Sequence, residues 1–117
     1  MQAIYNPAGK IVGWLNDNYV YDFRYNLIAH IYGDGVFTYR SDHLGYVTKG
    51  YFIDKGGYPV AFIQGARGGP LTPLPPLAPL QPLPPIPPLP PIPPIPPVTP
   101  ILSLSWSKIS WENFLLG

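Results

Sequence analysis

Val20-Tyr21-Asp22-Phe23-Arg24-Tyr25-Asn26-Leu27-Ile28-Ala29-His30-Ile31 reads as two short β runs joined by a polar turn. Val20-Tyr21 is β-branched and aromatic, Asp22 to Asn26 carries turn residues, and Leu27 to Ile31 alternates as a strand does. Sliding the chain by 16 residues brings the pattern back four times. Ile4, Val20, Val36 and Phe52 align, then Val12, Ile28, Leu44 and Val60, then the small residues Gly13, Ala29, Gly45 and Ala61. Four copies without an insertion are the mark of internal repetition. Four hairpins related by approximate rotation predict an all-β head over residues 1–66 that forms a small toroid or barrel. Closure hides the strand edges that an open sheet would offer to other chains.

Within each repeat the columns carry different physical demands. A Gly or Ala at one site in all four copies requires close approach of a backbone or an aromatic ring there. Asn6, Asp22, Thr38 and Asp54 stand at the entrance to each turn, where a short polar side chain bonds the backbone two residues on. Residues two apart on a strand share a face, so Val12 and Trp14 are expected on one side and Gly13 and Leu15 on the other. The column Trp14, His30, Tyr46 and Phe62 is an aromatic ring that would wall a shallow pocket on the pseudo-fourfold axis or serve as core.

Beyond a Gly-rich hinge at 67–70 the composition changes abruptly. Residues 69–101 are eleven triplets with Pro at every second position and an aliphatic residue at every third. The aliphatic positions are Leu71, Leu74, Leu77, Leu80, Leu83, Ile86, Leu89, Ile92, Ile95, Val98 and Ile101. Proline lacks the N–H that helix and sheet need and holds φ near the polyproline II value, whose period is three residues per turn. Residues 71–101 are therefore predicted to form an extended polyproline II rod with every aliphatic side chain on one edge. The triplets would make a straight rod about 100 Å long. No charge interrupts the stretch between Arg67 and Lys108, so the edge is an apolar stripe that something should cover.

Residues 102–117 end the chain in a short docking segment. Leu102, Leu104 and Trp106 alternate with serines, as in a short strand, and Ser110 is placed to cap a helical turn from Trp111 to Leu116 that stops at Gly117. Both pieces are too short to stand alone. Their Trp106, Ile109, Trp111, Phe114 and Leu115 are expected to dock, either back onto the head or onto a neighbouring molecule; a straight rod would carry them to the neighbour.

The motif search excludes more than it finds. Two His and no Cys leave no disulfide framework and no convergent metal set, and no nucleophile-elbow, phosphate-loop or paired-carboxylate spacing is present. No catalytic residue, metal or cofactor is assigned. A net charge of +1 with interspersed signs gives no footprint for nucleic acid. The chain has no apolar stretch that would span a bilayer as a helix and no Sec-type leader at its start. The localisation is left open by these features: cytoplasmic, extracellular or cell-surface by another export route, or a processed chain.

Tyr19-Val20-Tyr21-Asp22, His43-Leu44-Gly45-Tyr46, Gly50-Tyr51-Phe52-Ile53-Asp54 and Tyr58-Pro59-Val60-Ala61-Phe62, with the terminal Ser105-Trp106-Ser107 and Ser110-Trp111-Glu112-Asn113-Phe114, resemble the bacterial four-fold beta flower proteins. The resemblance implies four β-hairpin repeats, a Pro-rich tail and a Trp-containing end. It implies no activity, and its aliphatic tail departs from the basic tails of that family.

The expected function is non-enzymatic. The reading is a structural self-assembly protein, a homo-oligomer or filament whose partners are copies of itself. Polyproline II rods would pack along their aliphatic edges and C-terminal segments would dock between molecules. The alternative is an adaptor or binding module, with a head that binds a glycan or peptide and a tail that serves as a stalk for a Pro-recognition partner.

Overall fold

The structure, a computed structural model, describes residues 1–74 and 87–117. Eight strands, β1 (Gln2–Tyr5), β2 (Ile11–Asn16), β3 (Tyr19–Asp22), β4 (Leu27–Tyr32), β5 (Gly35–Phe37), β6 (His43–Thr48), β7 (Tyr51–Ile53) and β8 (Pro59–Phe62), follow one another around a closed antiparallel barrel. β1 closes on β8 through the pair Tyr5 and Phe62. The four repeats are the hairpins β1–β2, β3–β4, β5–β6 and β7–β8, and their registers superpose: Ile4 pairs with Gly13, Val20 with Ala29, Val36 with Gly45 and Phe52 with Ala61.

The turns within the hairpins follow the expected chemistry. Asn6 Oδ1 accepts from the backbone N–H of Ala8 and Lys10, Asp22 Oδ1 from Arg24 and Asn26, Thr38 Oγ1 from Arg40 and Asp42, and Asp54 Oδ1 from Gly56 and Tyr58. One side chain thus satisfies two donors in every copy, and the turn is closed by local bonds rather than by tertiary packing.

Each hairpin also breaks register at the same place, between residues 4 and 5, 20 and 21, 36 and 37, and 52 and 53. A bulge of this kind adds twist, which lets strands of three to six residues curl into so narrow a barrel. It also corrects the simple alternation. Val12, Ile28, Leu44 and Val60 sit at the bulges and pack with the interior cluster, on the side of Gly13 and Leu15 and away from Trp14. Strict two-residue alternation fails wherever one strand carries an extra residue.

The interior is filled by Ile4, Val20, Ala29, Val36, Leu44, Phe52, Val60 and Ala61 together with two residues from the far end of the chain, Trp111 and Phe114. These belong to α1 (Trp111–Leu116), which Ser110 caps by accepting from the Asn113 N–H, with Gly117 closing the other end. The small column is explained here. A Cβ on Gly13 would lie 2.6 Å from the Tyr21 carbonyl oxygen on the neighbouring strand, and one on Gly45 would overlap the Ile53 carbonyl oxygen and come 2.6 Å from Phe114 Cε1. Trp111 stands edge-on to Phe52, with centroids 5.2 Å apart, and stacks on Phe114 at 5.6 Å.

Docking is within the molecule, one of the two dockings the sequence leaves open; the route by which a straight rod carries the segment to a neighbour is corrected. The segment before the helix is not a strand: residues 102–107 are held by bonds from Ser103 N–H to Gly57 O and from Ser107 N–H to Pro59 O.

The straight rod is corrected as well. The described structure measures 36 × 35 × 21 Å. The described parts of the Pro-rich stretch, 69–74 and 87–101, lie on the barrel and meet the fourth hairpin at Pro70, the first at Pro73, the second and third from Pro88 to Pro97, and the fourth again near Ile101. The proline rings are themselves an apolar face, and the outer wall of the barrel is aromatic. A period of three that aligns the aliphatics also aligns a row of prolines to lie against that wall.

Candidate functional site: an aromatic wall under a proline belt

Alternation along the strands gives the barrel an outer set of residues: Tyr5, Trp14, Tyr21, Tyr46, Tyr51, Ile53 and Phe62. In an isolated barrel they would be an exposed aromatic surface. Here they are buried: Tyr46 and Tyr51 meet the tail, Trp106 packs on Tyr51 and Phe62, and Phe23 and Tyr25 of the second hairpin stack on Trp14. Three tyrosine hydroxyls donate to tail carbonyls: Tyr51 to Pro70 O at 2.6 Å, Tyr39 to Pro88 O at 3.1 Å and Tyr46 to Pro97 O at 3.1 Å. A Pro-rich chain has acceptors but hardly any donors of its own, so each such bond satisfies a carbonyl that would otherwise depend on water.

Between Pro88 and Pro97 the wall is a continuous run of rings. Tyr39 meets His30 edge-on at 5.4 Å, His30 stacks on Phe37 at 5.9 Å, Phe37 lies 5.2 Å from His43, and His43 meets Tyr46 edge-on at 4.7 Å. A cleft of about 300 Å³ between Tyr19, His30 and Tyr32 on one side and Leu89 to Ile92 on the other marks where the belt crosses the second hairpin.

The tail presents its three faces differently. Pro93 is buried and Pro87, Pro90, Pro96 and Thr99 are half-buried, whereas Pro88, Pro91, Pro94 and Pro97 are exposed. The aliphatic face points away from the barrel: Leu71, Leu74, Leu89, Ile92, Ile95, Val98 and Ile101 are 79–96 % exposed. Leu77, Leu80, Leu83 and Ile86 lie outside the described residues.

Burial tunes the titratable groups beneath the belt. It pushes the His30 pKa below the ordinary imidazole value, against a hydrogen bond with the Thr38 backbone that acts the other way. The same cause lowers His43, opposed by a hydrogen bond with the Gly45 backbone and assisted by the charge of Lys55. Nε2 of each histidine is buried without a partner, as are the Tyr21 hydroxyl and Trp111 Nε1. The hydroxyls of Tyr39 and Tyr51 are raised by burial and stay protonated as donors.

The expected head-pocket residues are placed as follows. Trp14, His30, Tyr46 and Phe62 do not surround the axis, which is occupied by the interior cluster and α1; they stand on the outer wall, one per hairpin. Trp14 stacks on Tyr25 at 5.4 Å and donates from Nε1 to Phe23 O, and Phe62 stacks on Tyr5 at 5.3 Å. Of the docking residues, Trp111, Phe114 and Leu115 enter the barrel, Trp106 packs on Tyr51 and Phe62 outside it, and Ile109 stays 42 % exposed beside a cleft with Asp54 and Tyr58. Sequence reasoning did not single out Tyr39 and Tyr51. The signal was the pairing of a Tyr-rich head with a donor-poor tail.

Among the described residues no three His, Asp or Glu side chains converge as a metal set, and no helix is long and apolar enough to cross a membrane. Comparison with curated proteins and with solved structures finds no match. The model of one family, described as 4-fold beta flower protein, matches residues 2–115. Four equivalent hairpins around one barrel, a tail that belts it and a terminal helix that fills it are all within that match, and the chain belongs to the 4-fold beta flower protein family.

Proposed function

We propose that this protein is a non-enzymatic structural element that associates with copies of itself through the aliphatic edge of its Pro-rich tail. The observation that carries the reading is the exposure of Leu71, Leu74, Leu89, Ile92, Ile95, Val98 and Ile101 on an uncharged belt whose other contacts are already made to the barrel. A barrel needs such a belt to cover its aromatics, but water-facing serine or lysine at the third positions would serve that purpose equally well. Seven aliphatics in their place are self-complementary apolar surface.

Magnitudes favour association. Full burial of the seven would contribute roughly 10–20 kcal/mol, set against an association cost of about 4–15 kcal/mol. A polyproline II edge also loses little conformational freedom on packing, because its backbone is already restricted. Since α1 is used within its own barrel, contacts between molecules fall to the belt.

The test replaces Ile92, Ile95 and Val98 with Ser in the full chain. Light scattering should show larger particles for the native chain that shrink to the monomer on dilution, and a monomer throughout for the variant. Equal particle sizes for both would reject the reading. The adaptor alternative is disfavoured by one feature: Pro87, Pro90, Pro93 and Pro96 face the barrel, so a Pro-recognition domain would have to displace them.

A further inference from the structure

We infer that the outer wall of the second and third hairpins is a binding site for an extended proline-rich chain, and that the tail of a second copy occupies it in exchange for the protein's own. This deepens the self-assembly reading by naming a second mode of contact, and it rests on different residues: the hydroxyls and rings of the wall rather than the aliphatic edge of the belt.

Three observations carry it. The wall recognises features that any polyproline II chain offers. Tyr39 and Tyr46 bond carbonyls nine residues apart, at Pro88 and Pro97, which is three full periods of a three-residue helix. Pro90 and Pro91 line a cleft with Tyr19, His30 and Tyr32, and Pro96 lies beside Gly35, where an added Cβ would come within 3.4 Å of Pro96 Cγ and 2.6 Å of Phe37 Cε2. Aromatic rings with hydroxyl donors aimed at proline-chain carbonyls are the chemistry by which Pro-rich ligands are held in grooves.

The occupant is also repetitive. Pro87-Pro88-Leu89, Pro90-Pro91-Ile92, Pro93-Pro94-Ile95 and Pro96-Pro97-Val98 repeat one pattern, with the first proline of each triplet the less exposed. The wall uses no ion pair and no unique side chain of the belt, so it has no means of telling its own triplets from those of another copy.

Finally, the barrel closes without the belt. Its strand ladder runs from β1 to β8 within residues 2–62, and the interior is completed by α1. Exchange of residues 87–98 breaks no strand pairing. The exchanged segment carries its aliphatic edge with it, so each exchange links two barrels while leaving the edge free.

The experiment uses a full-length chain in which Pro87, Pro90, Pro93 and Pro96 are replaced by Ser, which vacates the wall and keeps the barrel and α1. A fluorescent peptide with the sequence of residues 87–101 is titrated into it and followed by anisotropy. Saturable binding is expected, weakened about tenfold or more when Tyr39→Phe and Tyr46→Phe are added, because two hydrogen bonds are lost. No binding at millimolar peptide, or binding indifferent to the two hydroxyls, overturns the inference.

Should the serine variant not fold, the unmodified chain labelled with ¹⁵N is titrated with unlabelled peptide. Shifts at the Tyr39 and Tyr46 amides with none at Asn6 support exchange, and their absence at several millimolar rejects it. Replacing Ile92, Ile95 and Val98 with Ser leaves the wall intact. A chain that stays monomeric but binds peptide therefore separates failure of edge packing from failure of this site.

Discussion

Gly45 is where the helix at the end of the chain meets the barrel wall most closely. An added methyl would overlap both the Ile53 carbonyl oxygen and the Phe114 ring, at 2.6 Å from the latter, well inside van der Waals contact distance. The ring has no free space to enter, because it is stacked on Trp111. Gly45→Ala should therefore destabilise the fold by about 1–3 kcal/mol, the usual range for overpacking, measured by urea denaturation. A loss below a few tenths would mean that α1 does not seat as described. Ala29 and Ala61, at the equivalent sites, already carry the methyl and are fully buried.

The histidines are the other residues with consequences of their own. Both pKa values are lowered in the fold, chiefly by burial, so the unfolded chain binds more protons once pH falls to about the unperturbed 6.5. Their contribution is complete above that pH and declines as pH drops from it toward the lower folded values. Among the described residues they are ringed by Phe37, Tyr39 and Tyr46, and the charge that acts on His43 is that of Lys55, which opposes the imidazolium. The urea midpoint should fall between pH 7.5 and 5.5, and His30→Phe with His43→Phe should flatten that slope. An unchanged slope in the double variant would assign the pH dependence elsewhere.

At the scale of elements, α1 matters out of proportion to its six residues. An isolated helix of that length has no stability in water. Its Ser110 cap and Gly117 stop make it locally consistent, but Trp111 and Phe114 fold it by filling the barrel. Trp111→Ala should cost about 3–5 kcal/mol, read as a lowered urea midpoint with loss of near-ultraviolet circular dichroism. That is a large share of the roughly 5–15 kcal/mol a domain of this size possesses. A midpoint within error of the native chain would show that the barrel stands without its plug. The belt is a different kind of element, restricted by its prolines and held by three hydroxyls and a row of ring contacts.

The whole molecule combines a head that covers its aromatic wall with its own tail and a tail that turns its aliphatic edge outward. The first arrangement resolves the exposure of the head, and the second leaves exposure on the belt. The dilution experiment on the native chain and its Ile92, Ile95 and Val98 variant belongs at this scale, because the proposed burial of the edge is between molecules.

Local chemistry was legible in the sequence. The 16-residue period, the turn side chains at Asn6, Asp22, Thr38 and Asp54, the need for small residues at Gly13 and Gly45, and the capped helix from Trp111 all depend on neighbours a few residues away or on a strict repeat. A period-two reading missed the bulges, because one extra residue per hairpin leaves no mark in hydrophobicity. The placement of Trp14, His30, Tyr46 and Phe62 on the outer wall, rather than around the axis, was decided by which of two apolar faces α1 could fill. The course of the tail was likewise a tertiary decision. A three-residue period aligns an aliphatic edge and a proline face at once; the described tail sets Pro87, Pro90, Pro93 and Pro96 toward the barrel, with tyrosine hydroxyls on its carbonyls, and leaves the aliphatic edge outward.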